Sequence, residues 1–351
     1  MKSDGPPDAV GAADGAGPRF SVGYQPMTGA PDFFSDIVRD YREAVAEVYF
    51  AWPGDPSGRA PVADDAVEQT LGELGRMRGW GIRLNLLFNA SCYGAEALSA
   101  ALEDRVTARI RAMLDGPGLD AVTTLSPLIA RTVRSRFPDI EVRASVNLRL
   151  GTVAALRYAA PFFDSYTVQR EYNRDPTRLA ELQAWAAGEG KTLVVLANSG
   201  CLNGCPFQSF HDNAVAHERE IGRRDDTRPL ATLCRSHYAD CSHRADFLRG
   251  SWIRPEDVPA HRRIFGGLYK LATRLHERPC MVIGAYAGGR FHGNLADLME
   301  PGHGLSFAPG IVANDAFPPD WFERSLCGDR SCEACRWCDE IWPRVYRLAS
   351  G

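Results

Sequence analysis

The stretch Thr192-Leu-Val-Val-Leu-Ala-Asn198-Ser-Gly-Cys201-Leu-Asn-Gly-Cys205-Pro-Phe-Gln-Ser-Phe-His211 decides how this chain is read. An aliphatic strand runs into a loop that displays two thiols in C-x3-C spacing. Gly200 and Gly204 let the backbone approach a ligand, and Pro206 closes the loop ahead of a helical segment. Cys234 and Cys241 arrive before the next strand-like run. Four soft donors in one interstrand excursion point to a metal or iron–sulfur site.

Working outward from that loop, apolar runs of strand length alternate with helical periodicity. Strands are predicted at 45–52, 82–89, 119–125, 141–146, 165–171, 192–197, 247–253 and 268–272. Helices are predicted over 65–78, 95–114, from Ser126-Pro127, from Asp175-Pro176 to about 187, from Pro255 and over 278–286. Ser126 and Asp175 precede a proline, the pattern of an N-cap with proline at the first helical position. This repetition predicts an α/β fold, a (β/α)8 TIM-like barrel with a cysteine-rich insertion after the sixth predicted strand and a cysteine-rich C-terminal segment. The absence of G-x-G-x-x-G after the first predicted strand argues against dinucleotide binding. Residues 1–31, rich in Gly, Ala, Pro and Asp, read as a disordered arm, 32–305 as the barrel and 306–351 as an extension.

The 351 residues carry a net charge of −4 without a basic cluster, so charge gives no reason to propose nucleic acid as a partner. No apolar run approaches the roughly 20 residues needed to span a bilayer, and no signal-peptide pattern opens the chain, which together predict a cytoplasmic protein. Ten cysteines are too sparse for a disulfide scaffold, and their clustering favours metal ligation in a reducing compartment.

A barrel carries its chemistry at the C-terminal ends of its strands. Cys201, Cys205, Cys234 and Cys241 are the candidate ligands there, and their C-x3-C and C-x6-C spacing favours iron–sulfur over the tighter knuckles of zinc. Cys92, past the second predicted strand, could replace one of the four; Cys280 reads as core packing. Cys327, Cys332, Cys335 and Cys338 could hold zinc or a second cluster, lend thiols to the first site, or clip the C-terminal segment in place. Glu171, Asn198 and Arg174 are candidate catalytic residues. Asn89, Asn173, Arg254, Lys270, Arg274 and His211 are candidate substrate-binding residues, the arginines because a guanidinium grips a carboxylate through two bonds. No Ser/His/Asp elbow and no H-E-x-x-H motif supplies a hydrolytic apparatus.

An ordered series of motifs carries a family resemblance over about residues 40–340. It runs through Glu47-Val-Tyr-Phe, Leu87-Phe-Asn89 with Cys92, Ala144-Ser-Val146, Asn173-Arg-Asp175 and Asn198-Ser-Gly-Cys201-Leu-Asn-Gly-Cys205-Pro-Phe. Trp252-Ile-Arg-Pro-Glu-Asp257, Tyr269-Lys-Leu-Ala-Thr-Arg274 and Gly293-Asn-Leu-Ala-Asp297-Leu complete it. In these the chain resembles peptidase family U32, the collagenase-like barrel proteins. The resemblance implies a TIM-like barrel with a [4Fe–4S] cluster and an activity like the oxygen-independent hydroxylation of ubiquinone precursors or RNA bases, some members using prephenate as oxygen donor. The cysteine spacing departs from the collagenase-like subgroup, and the C-terminal cysteine set is an addition. The expectation is an iron–sulfur-dependent, oxygen-independent oxidoreductase that hydroxylates a small molecule, peptide or nucleobase, working alone, as a homo-oligomer or with a partner protein. The alternatives are a peptidase or peptide-modifying enzyme with a structural metal, and a non-catalytic iron–sulfur scaffold.

Overall fold

In a parallel barrel, side chains alternate between the interior and the surrounding helices. The computed structural model describes residues 17–27, 29–59, 62–228, 233–328 and 331–348. Its strands are β1 (Phe20–Tyr24), β2 (Val45–Ala51), β3 (Arg83–Phe88), β4 (Ala121–Thr124), β5 (Glu141–Ala144), β6 (Ser165–Thr167), β7 (Thr192–Leu196) and β8 (Leu268–Leu271). They pair in parallel in chain order, and β1 closes on β8.

Helices α1 (Phe33–Asp40), α2 (Val67–Gly79), α3 (Ala100–Leu114), α4 (Pro127–Arg136), α5 (Val153–Ala159) and α6 (Pro176–Gly188) follow the first six strands in turn. Ser126 caps α4 by accepting from the Ile129 N–H at 3.3 Å, and Asp175 caps α6 by accepting from the Arg178 N–H at 2.9 Å. Both caps stand where the Ser-Pro and Asp-Pro pairs predict them. The insertion between β7 and β8 holds α7 (Gln208–Ala216), α8 (Glu218–Ile221), α9 (Leu233–Ala239), a 3-10 helix over Cys241–Phe247 and α10 (Val258–His261). After β8 come α11 (Pro279–Gly288), α12 (Gly304–Phe307), β9 (Gly310–Val312), α13 (Trp321–Arg324), α14 (Cys332–Cys335) and α15 (Trp337–Val345). The last strand, β10 (Tyr346–Leu348), pairs antiparallel with β9.

Three sequence expectations are corrected. Phe20–Tyr24, placed in a disordered arm, is the first barrel strand, and all five residues are buried; residues 1–16 lie outside the described residues. The run 247–253, expected as a strand, pairs with none. Its apolar side chains are buried as loop: Phe247 and Trp252 pack ring to ring at 5.4 Å, and Trp252 stacks on Trp321 at 5.8 Å. The run's apolarity reports burial, and the period of 2 that makes a strand is missing. With β1 restored, the cysteine loop leaves the seventh of eight strands. Cys280, expected in the core, is exposed on α11.

The outward faces of the strands supply aliphatic and aromatic side chains, among them Val22, Val48, Leu84, Leu86, Val122, Val142, Val195 and Leu271, all fully buried. The inward face is polar. Glu47 Oε1 accepts from Ser21 Oγ at 2.7 Å, Asn85 Nδ2 at 3.1 Å and Arg143 Nη1 at 2.7 Å. Thr123 Oγ1 donates to Asn85 Oδ1 at 2.9 Å, and Arg143 Nε donates to Ser165 Oγ at 3.0 Å. One connected network therefore joins the interiors of β1 to β6. Arg143 and its neighbours hold the Glu47 carboxyl below its ordinary range, although burial alone raises it. Just above, a Cβ on Gly23 would meet the Tyr49 ring at 2.6 Å, so only glycine fits beside that side chain.

Glu47→Ala removes one of the two carboxylates that hold the Arg143 guanidinium, leaving Glu141 at 2.8 Å from Nη2. Losing a buried hydrogen bond to a charged group costs about 1.5–3 kcal/mol, whereas replacing both members of the pair with apolar groups is often tolerated. Denaturant unfolding should therefore show a loss of that size for Glu47→Ala, largely recovered in Glu47→Leu/Arg143→Met. A single-variant loss under about 1 kcal/mol, the range of exposed pairs, would contradict this account of the interior.

Candidate active site

The cysteine loop is held by the strand that produces it. Asn198, fully buried, donates through Nδ2 to Ala272 O at 3.1 Å and Leu298 O at 3.0 Å, and its Oδ1 accepts from Ala272 N at 2.7 Å. Gly200 N donates to Glu300 O at 3.0 Å, and a Cβ on Gly200 would stand 2.2 Å from Pro301 O, so this close approach requires glycine. Gly204 takes a φ of 67°, which turns the chain between the two thiols.

Cys201, Cys205 and Cys234 line one cavity of about 530 Å³, bounded also by Arg59, His211 and Asp212 and by the apolar side chains of Leu202, Phe207, Phe210 and Leu233. The insertion thus folds Cys234, on α9, back onto the loop. Cys241 is not brought in: it is exposed at the start of the 3-10 helix and does not line the cavity. Beside the thiols, Tyr238 is buried, and its hydroxyl has no hydrogen-bond partner among the described residues. Burial, and then the neighbouring Cys234 and Cys201, push its pKa well up. His303 supports the loop, its Nε2 lying 2.8 Å from Gly200 O and its ring packing edge-on against Tyr238. Among the described residues, no three His, Cys, Asp or Glu side chains converge as ligands of a single metal ion.

A second, smaller recess of about 70 Å³ lies at the barrel mouth, lined by Tyr49, Asn89, Arg170, Lys270, Arg274 and Glu300 among others. Arg59 lines both it and the thiol cavity. Arg170 joins the two directly, because its Nη1 donates to Cys201 Sγ at 3.1 Å and to Ser199 Oγ at 3.4 Å. Lys270 Nζ stands 3.7 Å from the centroid of the Tyr49 ring, and among the described residues its ammonium makes no hydrogen bond or ion pair. Burial pushes the Lys270 pKa down to about 7; Glu47 opposes that shift, and Arg143, Arg274 and Arg59 add to it. Burial also lowers Arg274 to about 10, and its Nη2 donates to Ser57 Oγ at 3.1 Å. The imidazole of His211 is lowered by burial and then by Arg59. Lys270, Arg59 and His211 are half-buried and Arg274 is buried, and cations partly removed from water favour an anion that replaces the lost solvation.

Several sequence candidates are occupied elsewhere. Asn198 is consumed by the strand ends. Asn173, fully buried, donates to Leu196 O at 2.7 Å and Ser251 O at 3.1 Å. Arg174 donates to Leu248 O at 2.9 Å and to Gly250 O, and its guanidinium lies 5.2 Å from the Trp252 ring. Arg254 forms a two-bond pair with Asp257 at 2.9 and 2.7 Å. Glu171 sits 3.5 Å from Arg149 and lines neither cavity. Asn89, Lys270, Arg274 and His211 do line the site. The sequence reading passed over Arg170, Arg59 and Tyr49. Arg170 stood one residue from the candidate Glu171; Arg59 lies in a Gly/Pro-rich loop without periodicity and gave no signal.

Cys92 lines a different cavity, of about 490 Å³, together with His217 and Glu220. A hydrogen bond with His217 lowers the Cys92 thiol pKa, and His217 Nδ1 lies 3.0 Å from Glu220 Oε2. The four C-terminal thiols line yet another cavity, of about 230 Å³.

No protein-family description matches the chain, and no curated protein matches it. Among solved structures, its fold is similar to that of the U32 peptidase Mk0906, with a TM-score of 0.52 at 13% identity over 75% of this chain and 96% of that one. A glucosidase from Croceicoccus marinus gives 0.41 at 13% identity, over 76% of this chain and 62% of that one. An endo-beta-1,4-mannanase from Thermotoga petrophila gives 0.38 at 11%, over 58% and 65%. The first likeness bears out the barrel expected from the family resemblance and speaks to fold alone; the other two carry no argument.

The lowered Lys270 pKa makes anion binding pH-dependent. Calorimetric affinity for a small dicarboxylate such as malonate should be strongest below pH 7 and weaken by up to about tenfold per pH unit above it, and Lys270→Met should flatten the profile. The stability effect has the opposite sign. Lys270 has an ordinary value of 10.5 and a folded value of about 7, so the unfolded chain binds the proton first as pH falls. The lysine therefore costs stability progressively from pH 10.5 down to 7 and fully below, and Lys270→Met should gain most in acid. A flat wild-type binding profile would contradict the assignment.

Proposed function

We propose that this chain is an iron–sulfur-dependent oxidoreductase that acts on a small molecule with an anionic group and an apolar body. The observation that carries the reading is Arg170, which donates to Cys201 in the thiol cavity while lining the cationic recess. It couples a soft-donor site to an anion site across one side chain.

The donor set fits the cofactor. Cys201, Cys205 and Cys234 share one cavity, and three thiolates can hold a [4Fe–4S] cluster with one iron left to another ligand. Bound there, the cluster would supply one-electron redox chemistry. The protein's own groups do the rest. Arg59, Lys270 and Arg274 take the anionic group, since a recess of about 70 Å³ admits a carboxylate-sized head. The apolar wall of Leu202, Phe207 and Phe210 receives the body. The Arg170 guanidinium, donating to the Cys201 sulfur, draws charge from it and so raises the potential of whatever that sulfur ligates. Hydroxylation without molecular oxygen is the reaction class that the family resemblance adds.

A second reading has its own observation. Cys92, His217 and Glu220 stand in the order of a thiol nucleophile, its base and the group that orients the base, which favours a peptidase or acyl-transfer activity in the separate cavity.

Anaerobic purification with iron and sulfide counts and EPR tests the first reading. Cys201→Ala and Cys205→Ala should each lose about four irons per chain and all activity. Arg170→Met should keep the iron and shift the potential. Stoichiometric zinc in place of iron would overturn the proposal. Activity abolished by Cys92→Ser yet intact in iron-free protein would favour the second reading.

A further inference from the structure

The C-terminal thiols are well separated in sequence from the barrel loop and line a cavity of their own. Cys327, Cys332, Cys335 and Cys338 all face one space of about 230 Å³, which none of the barrel thiols lines. All ten cysteines are described, and none forms a disulfide. Four thiols around one cavity therefore need another explanation.

The local backbone is built to turn these thiols together. Cys332–Cys335 is a single helical turn, and Arg336 then takes a φ of 51°, a left-handed conformation that a side chain of this size rarely adopts. That reversal starts a new helix at Trp337 and places Cys338 on the same cavity as the two cysteines before it. Charge points the same way. Arg249, Arg324 and Arg336 line the cavity; Arg249 is paired with Asp246 and Asp339, Arg336 lies 3.9 Å from Asp339, and Arg324 packs over the Trp337 ring. A cluster with four thiolate ligands carries net negative charge, and the Arg324 guanidinium at the cavity wall would offset part of it.

We infer that Cys327, Cys332, Cys335 and Cys338 hold a second [4Fe–4S] cluster, separate from the barrel site and loaded independently of it. The C-x2-C-x2-C run from Cys332 to Cys338 has the spacing of ferredoxin clusters, and Cys327 supplies the fourth thiolate from upstream. Zinc is the other occupant that four thiolates accept, and the metal count below separates the two. The segment is also fastened to the barrel: the Cys327 N–H donates to Arg174 O at 3.0 Å, and Arg249 Nη2 donates to both oxygens of Asp339 at 2.8 Å. Arg174 follows the turn that carries Arg170, so the second cluster would brace the loop that serves the first.

The test uses the full chain, reconstituted anaerobically with iron and sulfide, with metal counted in three proteins. The wild type should hold about eight irons per chain, and Cys332→Ser/Cys335→Ser and Cys201→Ala/Cys205→Ala about four each. The four irons retained in each variant report that the remaining chain is folded. A C-terminal variant with the wild-type iron count overturns the inference. So does a folded C-terminal variant with no iron, since both thiol sets would then serve one cluster, and so does one zinc per chain that disappears only in that variant. If the barrel variant alone keeps all its iron, the second cluster stands and the proposed function fails.

Discussion

The Glu47–Arg143 ion pair inside the barrel is the constraint on which the rest of the structure depends. Closing eight short parallel strands leaves an interior that must be filled, and branched aliphatic side chains are the usual filling. Here the aliphatic side chains lie outward, between strands and helices, and the interior holds a carboxylate, a guanidinium, an amide and several hydroxyls. Such a filling is tolerable only when nearly every donor and acceptor finds a partner. Glu47 Oε1 alone accepts three hydrogen bonds, from β1, β3 and β5. The network thereby fixes the relative height of six strands, and with it the positions from which the mouth loops depart.

The same interior sets the electrostatics of the mouth. Lys270 rises from β8 above Glu47 and Arg143, and burial lowers it to about 7 while Glu47 holds it up. The recess it shares with Arg170, Arg274 and Arg59 has an excess of positive groups, with Glu300 as its carboxylate. Arg170 carries this field to Cys201. The soft-donor cavity and the cationic recess are two halves of one surface, built from β6, β7, β8 and the loop after β2.

Much of the fold was legible in the sequence because the outward strand faces are strongly apolar: 45–52, 82–89 and 192–197 read as strands and are strands. β1 escaped because five apolar-rich residues stood among glycines and prolines, and composition outweighed them. The run 247–253 misled in the opposite direction, since an apolar loop against Trp321 and Phe307 has the same letters as a buried strand. At the site, Cys201, Cys205 and Cys234 were recognisable by residue type, whereas Cys241 lies beyond the turn after α9, and spacing does not say which side of a turn faces a cavity. The arginines were hardest to sort. Arg174 and Arg254 are committed to backbone carbonyls, tryptophan faces and Asp257, and Arg170 is the one aimed at a thiol; sequence shows the guanidinium in each case but not its partners.

The central claim is that the thiols and the cationic recess act as one site. EPR of the reduced, anaerobically reconstituted protein with and without a bound anion tests it most directly. The account predicts that an anion shown by calorimetry to occupy the recess shifts the g-values of the cluster held by Cys201, and that the shift disappears in Arg170→Met. An anion that binds in the recess yet leaves the spectrum unchanged would contradict it, as would a reduced protein with no iron–sulfur signal.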